Sequence, residues 1–188
     1  MAILAKSKHT IRIISGTHRS RRLPVLDFDG LRPTGDRLRE TLFNWLQHEI
    51  VAKSTLDLCA GSGALAFEAA SRGAKKVIMI EKNSKIVQQL KFIEKDFGFK
   101  NTQIHQQTAQ SFLQNNKQHF DLIFIDPPFA ANLIHELTQQ AILHVNTGGF
   151  IYREAGISQE LRNLPDNWHL YRQKSQGEVK IELWQKLA

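Results

Sequence analysis

Between Thr55 and Glu154, five short apolar runs alternate with longer segments of helical spacing, and this alternation admits few architectures. The runs Thr55 to Cys59, Lys76 to Glu81, Thr102 to Gln106, Asp121 to Asp126 and Phe150 to Glu154 have the length and aliphatic content of strands covered on both faces of a parallel sheet. Ala64 to Arg72, Asn83 to Phe97, Ala109 to Asn115 and Leu133 to His144 supply the helices between and after them, with Gly73, Gly98 and the Gly148-Gly149 pair where three of them stop. Trp168 to Lys174 and Val179 to Trp184, joined through Ser175-Gln176-Gly177, add an antiparallel hairpin at the sheet edge. The expected fold is α/β: a doubly wound, mostly parallel seven-stranded sheet closed by that terminal hairpin.

The N-terminal part reads differently. Thr10 to Ile14 and Leu23 to Leu26 are strand-like, and the basic segment Thr17 to Arg22 between them would form the tip of a hairpin. Asp29-Gly30 and Arg32-Pro33-Thr34-Gly35 then punctuate the chain. Leu38, Leu42, Trp45, Leu46 and Ile50 follow at helical spacing, with Asp36 as the expected N-cap. Residues 1–35 are thus expected to be a basic extension and residues 36–188 the main domain.

Charge favours a polyanionic partner for that extension. The chain carries a formal +7 with a pI near 9.7. Lys6, Lys8, Arg12, Arg19, Arg21 and Arg22 lie in a window without Asp or Glu that also holds His9 and His18. His18, Arg19, Arg21 and Arg22 are the expected nucleic-acid contacts at the tip. No run approaches the ~18 apolar residues of a membrane helix, and Met1 to Thr10 lacks a signal-peptide core, so a cytoplasmic protein is expected, with no membrane partner. One cysteine, Cys59, forms no internal disulfide, and no Cys/His cluster has metal-ligand spacing, so no metal is expected.

Two linked features point to a nucleoside-bearing cofactor. After the first core strand, Asp57-Leu58-Cys59-Ala60-Gly61-Ser62-Gly63-Ala64-Leu65-Ala66 carries the G-x-G-x-x-G/A spacing that lets backbone approach a ligand and lets helix pack on strand. An acid to hold ribose hydroxyls belongs ~20 residues on at the end of the next strand, where Glu81 stands. Those features alone also suit a nicotinamide site. The fourth strand separates the two chemistries, because it ends in Asp126-Pro127-Pro128-Phe129 at the carboxyl edge where such folds bind ligands.

That loop has the parts needed to methylate an exocyclic amine of a nucleic-acid base. Such an amine is a poor nucleophile, its lone pair being conjugated into the ring. Asp126 and the Pro127 carbonyl can accept its two N–H bonds and aim the lone pair at a sulfonium methyl, while the prolines keep the acceptors in place. Phe129 offers a stacking face to a base turned out of its helix. S-adenosylmethionine is then the donor and S-adenosylhomocysteine the product; the proton is lost to Asp126 or to water. Asp57 is either a polar anchor at the N-terminal side of the helix or, the favoured reading, a ligand for the methionine amino group; Ser62, Lys82, Thr108 and Ala109 are read as further cofactor-side residues. Cys59 and Trp45 read as packing residues.

At Ile11-Arg12-Ile13-Ile14-Ser15-Gly16, Leu31 to Asn44, Asp57 to Ala74 and Asp126 to Phe129 the chain resembles the RsmD family, bacterial enzymes that methylate N2 of a guanine in 16S ribosomal RNA. The likeness spans nearly the whole chain, and its most specific stretch is Leu31-Arg32-Pro33-Thr34-Gly35-Asp36-Arg37-Leu38-Arg39-Glu40-Thr41-Leu42-Phe43-Asn44. It implies a Rossmann-like class I methyltransferase sheet, S-adenosylmethionine, and an N-terminal hairpin that helps bind RNA. It further implies that Arg32, Pro33 and Thr34 line the cofactor or target pocket, with Arg37, Arg39 and Glu40 nearby; Arg37 and Arg39 are counted among the nucleic-acid contacts. The chain departs from the family pattern at Ala66, at Gly35 and at Gln107-Thr108-Ala109, where relatives often carry an acid or amide for adenine. The resulting expectation is a monomeric guanine-N2 methyltransferase of 16S ribosomal RNA, acting on the small ribosomal subunit or its assembly intermediate. Its rivals are a DNA adenine-N6 methyltransferase and a catalytically silent RNA-binding assembly factor.

Overall fold

Each central strand of the sheet alternates its side chains between two separate cores, which is why the strand runs are apolar throughout. In the computed structural model, which describes residues 9–25, 35–128 and 133–188, the strands are β3 (Ser54–Asp57), β4 (Lys76–Glu81), β5 (Thr102–Gln106), β6 (Phe120–Ile125), β7 (Val145–Gly156), β8 (Trp168–Gln176) and β9 (Val179–Lys186). Val77, Met79, Leu122, Phe124, Phe150 and Tyr152 face one core; Ile78, Ile80, Ile123, Ile125 and Ile151 face the other. Helices α1 (Asp36–Trp45), α2 (Ala64–Ser71) and α3 (Ser84–Phe97) cover the first face, and α4 (Ala109–Asn115) and α5 (Ile134–Ala141) the second. Sheet order is β5-β4-β3-β6-β7-β9-β8. β3 to β7 run parallel, and β9 inserts antiparallel between β7 and β8. The chain steps outward from β3 to β5 and returns to pair β6 with β3. The order therefore reverses between β3 and β6, and the crevice beyond their carboxyl ends is where an open α/β sheet receives its ligand. This is the doubly wound, mostly parallel seven-stranded sheet closed by an antiparallel hairpin that the sequence leads one to expect.

The basic hairpin is built into this body. Its strands β1 (His9–Arg12) and β2 (Arg22–Val25) pair antiparallel, Ile11 opposite Leu23. Ile11, Ile13, Leu23 and Val25 are buried in the same core as α1 and α2. The connecting segment is tied to α2: the buried Glu68 carboxylate accepts from Ile14 N at 2.7 Å and Ser15 N at 3.1 Å, and Thr17 N donates to Ser71 O at 2.8 Å. Gly16 makes this contact possible, since at φ +85° a Cβ would stand 1.9 Å from the Ser71 carbonyl oxygen. Gln89 of α3 donates to the Pro24 carbonyl, joining the hairpin to a second helix.

Three local expectations change. Gly35, not Asp36, is the N-cap of α1 and makes no side-chain cap bond; Asp36 lies in the first turn, where its charge suits the helix dipole and its carboxylate accepts from Arg39 at 2.8 Å. The same helix ends at Trp45, and Leu46 and Ile50 stay buried through turns that keep the apolar side inward. Gly148-Gly149 does not follow a helix end but lies inside β7, where pairing skips from Phe120–Val145 to Leu122–Phe150. A Cβ on Gly149 would come within 2.9 Å of Asp121 O, so the irregularity brings two backbones together at that point. Arg32, Pro33, Thr34 and Phe129, with Lys6, Lys8, Leu26 and Asp29-Gly30, lie outside the described residues. No helix among the described residues is long and apolar enough to cross a membrane.

Candidate active site

A cavity of about 600 Å³ opens at the reversal of strand order, and four parallel strands deliver an acid to it. Asp57 and Glu81 end β3 and β4, Asp126 follows the last residue of β6, and Glu154 lies near the end of β7. All four line the cavity, with Gly61, Ser62, Lys82, Thr108, Ala109, Pro127 and Pro128. The structure thus brings together most of the described residues expected at the cofactor and the target base; Gly63 is the exception and does not line the cavity.

The glycine loop is held from behind by these acids. Glu81 accepts from Gly61 N at 3.1 Å with one oxygen and from Asn83 N at 2.8 Å with the other. The carboxylate that should meet ribose hydroxyls is thereby fixed in orientation, with lone pairs beyond those two bonds. Gly63 starts α2 at φ +77°, and a Cβ there would meet the Phe67 ring at 2.6 Å and Leu90 at 2.8 Å, so the second glycine serves close packing beneath the loop. Asp57 is 2% exposed and accepts from Cys59 N at 3.3 Å. Burial is the main cause that lifts its carboxyl to about 7; Glu81 adds to it, and the backbone donors Cys59 and Ala66 oppose it. Burial and the Asp57, Asp126 and Glu81 charges push the Cys59 thiol well up, so it is no thiolate nucleophile, although it lines the cavity and is only partly buried. Thr108 is the N-cap of α4, its hydroxyl accepting from Ser111 N at 3.2 Å, and Gln107 and Gln110 beside it also line the cavity.

Electrostatics narrow the ligand. The described lining holds five acidic side chains (Asp57, Glu81, Asp126, Glu154, Glu178), Asp57 in part protonated near neutral pH, and one ammonium, Lys82. Such a lining disfavours the pyrophosphate of a dinucleotide and favours a ligand with cationic centres, as a sulfonium with an α-amino group has. Glu154 was not among the sequence-based candidates, although an acid near the end of an apolar strand is the signal that Glu81 and Asp126 also gave. Gln176, at the end of β8, and Gly177 and Glu178 of the β8–β9 turn also line the cavity and carry no such signal.

The basic residues divide. Arg19, Arg21 and Arg22 are exposed, Arg21 lying 4.4 Å from the Phe97 ring centroid and Arg22 donating to Thr10 at 3.2 Å. Arg37 is exposed on α1. Arg39 is not available to a nucleic acid: it is fully buried, with Nη2 donating to Arg12 O at 2.7 Å and to Asp36. His18 is likewise engaged by the protein, Nδ1 with the Thr17 hydroxyl at 2.8 Å and Nε2 with Phe97 O at 3.0 Å, its ring stacked 3.9 Å from Phe99. It anchors the tip to α3 and leaves no ring nitrogen for RNA.

Comparison with known proteins agrees with this geometry. The family described as Conserved hypothetical protein 95 matches residues 11–185. Ribosomal RNA small subunit methyltransferase D of Haemophilus influenzae is 41% identical over 188 residues, covering 95% of each chain. The chain belongs to the RsmD family. The family member from Escherichia coli of the same name is 41% identical, covering 95% of this chain and 91% of its own. The solved structure of the yhhF protein of Escherichia coli superposes with a TM-score of 0.86 at 39% identity, covering 96% of this chain and 99% of that one. RsmD membership therefore extends across hairpin, sheet and terminal strands alike.

Proposed function

We propose that this protein methylates N2 of a guanine in 16S ribosomal RNA, with S-adenosylmethionine as donor. The observation that carries the reading is the acid-lined cavity at the strand reversal, lined by Asp126-Pro127-Pro128 and by Gly61-Ser62 of the glycine loop. The names of the 41% identical relatives support ribosomal RNA as the substrate class.

The residues present fit the donor: Glu81 is oriented for a ribose diol, Asp57 for an amino group, and the Gln107–Gln110 segment for an adenine edge. When bound, the donor supplies an electrophilic methyl on a sulfonium. Asp126 and the Pro127 carbonyl accept the two amine hydrogens and turn the nitrogen lone pair toward that methyl; fixing this alignment in advance is worth orders of magnitude in rate. Pro127 is buried and Pro128 exposed, so the loop is anchored at one proline and meets the substrate at the other. The N2 proton leaves to Asp126 or to water after transfer. Arg19, Arg21 and Arg22 meet phosphates outside the cavity, and the protein acts as a monomer in the cytoplasm on the small subunit or its assembly intermediate.

The test is transfer of labelled methyl to unmodified small subunits, naked 16S RNA and duplex DNA in parallel, followed by nucleoside identification. N2-methylguanosine in ribosomal RNA is expected; N6-methyladenine in DNA, or cofactor binding without transfer, would overturn the reading.

A further inference from the structure

The scheme above leaves one buried acid of the cavity without a task. Glu154 is 4% exposed, lines the cavity with Asp126, and accepts from the Tyr152 hydroxyl at 2.6 Å. Its position is fixed on both sides. Ile125 pairs with Arg153 at the end of the β6–β7 ladder, so Asp126 and Glu154 are the next residues along, with backbones about one strand spacing (~4.8 Å) apart. Across the other edge of β7, Glu154 pairs with Ile181 of β9. Tyr152 is fully buried, its ring edge-on to Phe124 at 6.0 Å, and burial together with the Glu154 and Asp126 charges drives its hydroxyl pKa far up. The phenol therefore remains a donor and orients Glu154 as an acceptor.

A buried acid is a poor stabilising device, since an apolar residue of similar volume often serves as well or better. Placed beside the amine-holding Asp126, it has a specific use. The Watson–Crick edge of guanine presents two donors side by side, N1–H and the N2 amine. Adenine presents a bare N1 acceptor beside its amine, which a carboxylate repels. We propose that Glu154, oriented by Tyr152, is the residue that selects the base, accepting N1–H of the guanine whose amino nitrogen is held by Asp126. The assignment rests on the guanine reading given above. It makes the pocket specific for purines that carry both a 2-amino group and N1–H, and sets it against 2-aminopurine, which has the amine but no N1 hydrogen.

The test uses ribosomal RNA ligated to carry guanosine or 2-aminopurine riboside at the methylated position. It compares kcat/KM for the wild type, Glu154→Gln and Tyr152→Phe, with S-adenosylhomocysteine affinity as the measure of an intact fold. The wild type should prefer guanosine by on the order of a hundredfold, the scale set by a lost buried hydrogen bond to a base edge. Glu154→Gln, whose amide can turn either a carbonyl or an NH2 to ring N1, should keep cofactor affinity and reduce the preference to a few-fold. Tyr152→Phe should slow guanosine methylation about tenfold while still favouring guanosine. N2-methylguanosine formed with no wild-type discrimination, or full discrimination kept in a folded Glu154→Gln, overturns the assignment and leaves the guanine reading standing. The wild-type ratio decides alone should the variant lose cofactor binding. Methylated adenine from the wild type would sink both.

Discussion

Asp57 should make the stability of the protein without cofactor depend on pH in a way that one substitution removes. Its carboxyl titrates near 7 in the folded chain against an ordinary 3.8, because the folded state buries it. Between those two values the native state holds a proton that the unfolded state has lost, so stability is greatest below the lower value and falls as pH rises toward the upper one. Three pKa units correspond to about 4 kcal/mol at most, of which about 2.5 kcal/mol should appear between pH 5 and pH 8. Asp57→Asn keeps an oxygen to accept from Cys59 N and does not ionise. Denaturant melts of both proteins across that pH range isolate the effect, since their other titrating groups cancel in the difference. The variant should gain on the wild type as pH rises and level off above pH 7. A difference that stays flat with pH would refute a buried, protonated Asp57. In the wild type, affinity for S-adenosylhomocysteine, whose amino group is cationic, should rise up to tenfold per unit as pH approaches 7, and in Asp57→Asn this rise should vanish.

Asp126→Ala should leave S-adenosylhomocysteine affinity within a few-fold and lower kcat at least about a hundredfold, the scale of losing a positioned polar group; an active variant would remove the amine-holding role. Replacing Arg19, Arg21 and Arg22 together by Ala should flatten the slope of log affinity against log salt for RNA by about 2, at ~0.7 per phosphate contact, and an unchanged slope would place the phosphates elsewhere. Gly16→Ala should destabilise the fold by about 3 kcal/mol, combining a positive φ with a 1.9 Å approach to Ser71 O, and a variant melting like the wild type would mean the hairpin does not need its seat on α2.

The sheet was legible because each central strand is buried on both faces and so appears as an unbroken apolar run, bounded by glycine or by an acid. What stayed hidden depends on partners far away in sequence. His18 reads as one more cation in a basic tip, yet its Nε2 partner, Phe97 O, lies 79 residues on. Arg39 follows Arg37 in the first turn of α1 and suggests a charged outer face, but it is four residues from Phe43, and both belong to the buried stripe with Leu38 and Leu42. That spacing was the available signal. Its lesson is that an arginine inside an apolar stripe should be read as buried and bonded to backbone. Gly148-Gly149 suggested a helix end because glycine more often stops helices than bends strands, and only the pairing of Val145 with Phe120 reveals a strand already under way.

The same chain separates its charges by sign, and the separation bears on how two unlike ligands are handled together. The chain has a formal excess of +7, and the hairpin exposes Arg19, Arg21 and Arg22 together, while the described cavity lining holds five acidic side chains against one lysine. An RNA phosphate is attracted to the first surface and repelled by the second, so the backbone should stop at the rim and only a neutral base should pass inside. A cationic donor experiences the reverse. Val25, at the end of β2, lines the cavity, so the hairpin proposed to meet phosphates reaches the chamber itself. On the proposed function, anchoring by Gly16, Glu68 and His18 would serve more than stability: a tip free to swing could still bind RNA, but it could not hold the target base at a fixed distance from Asp126.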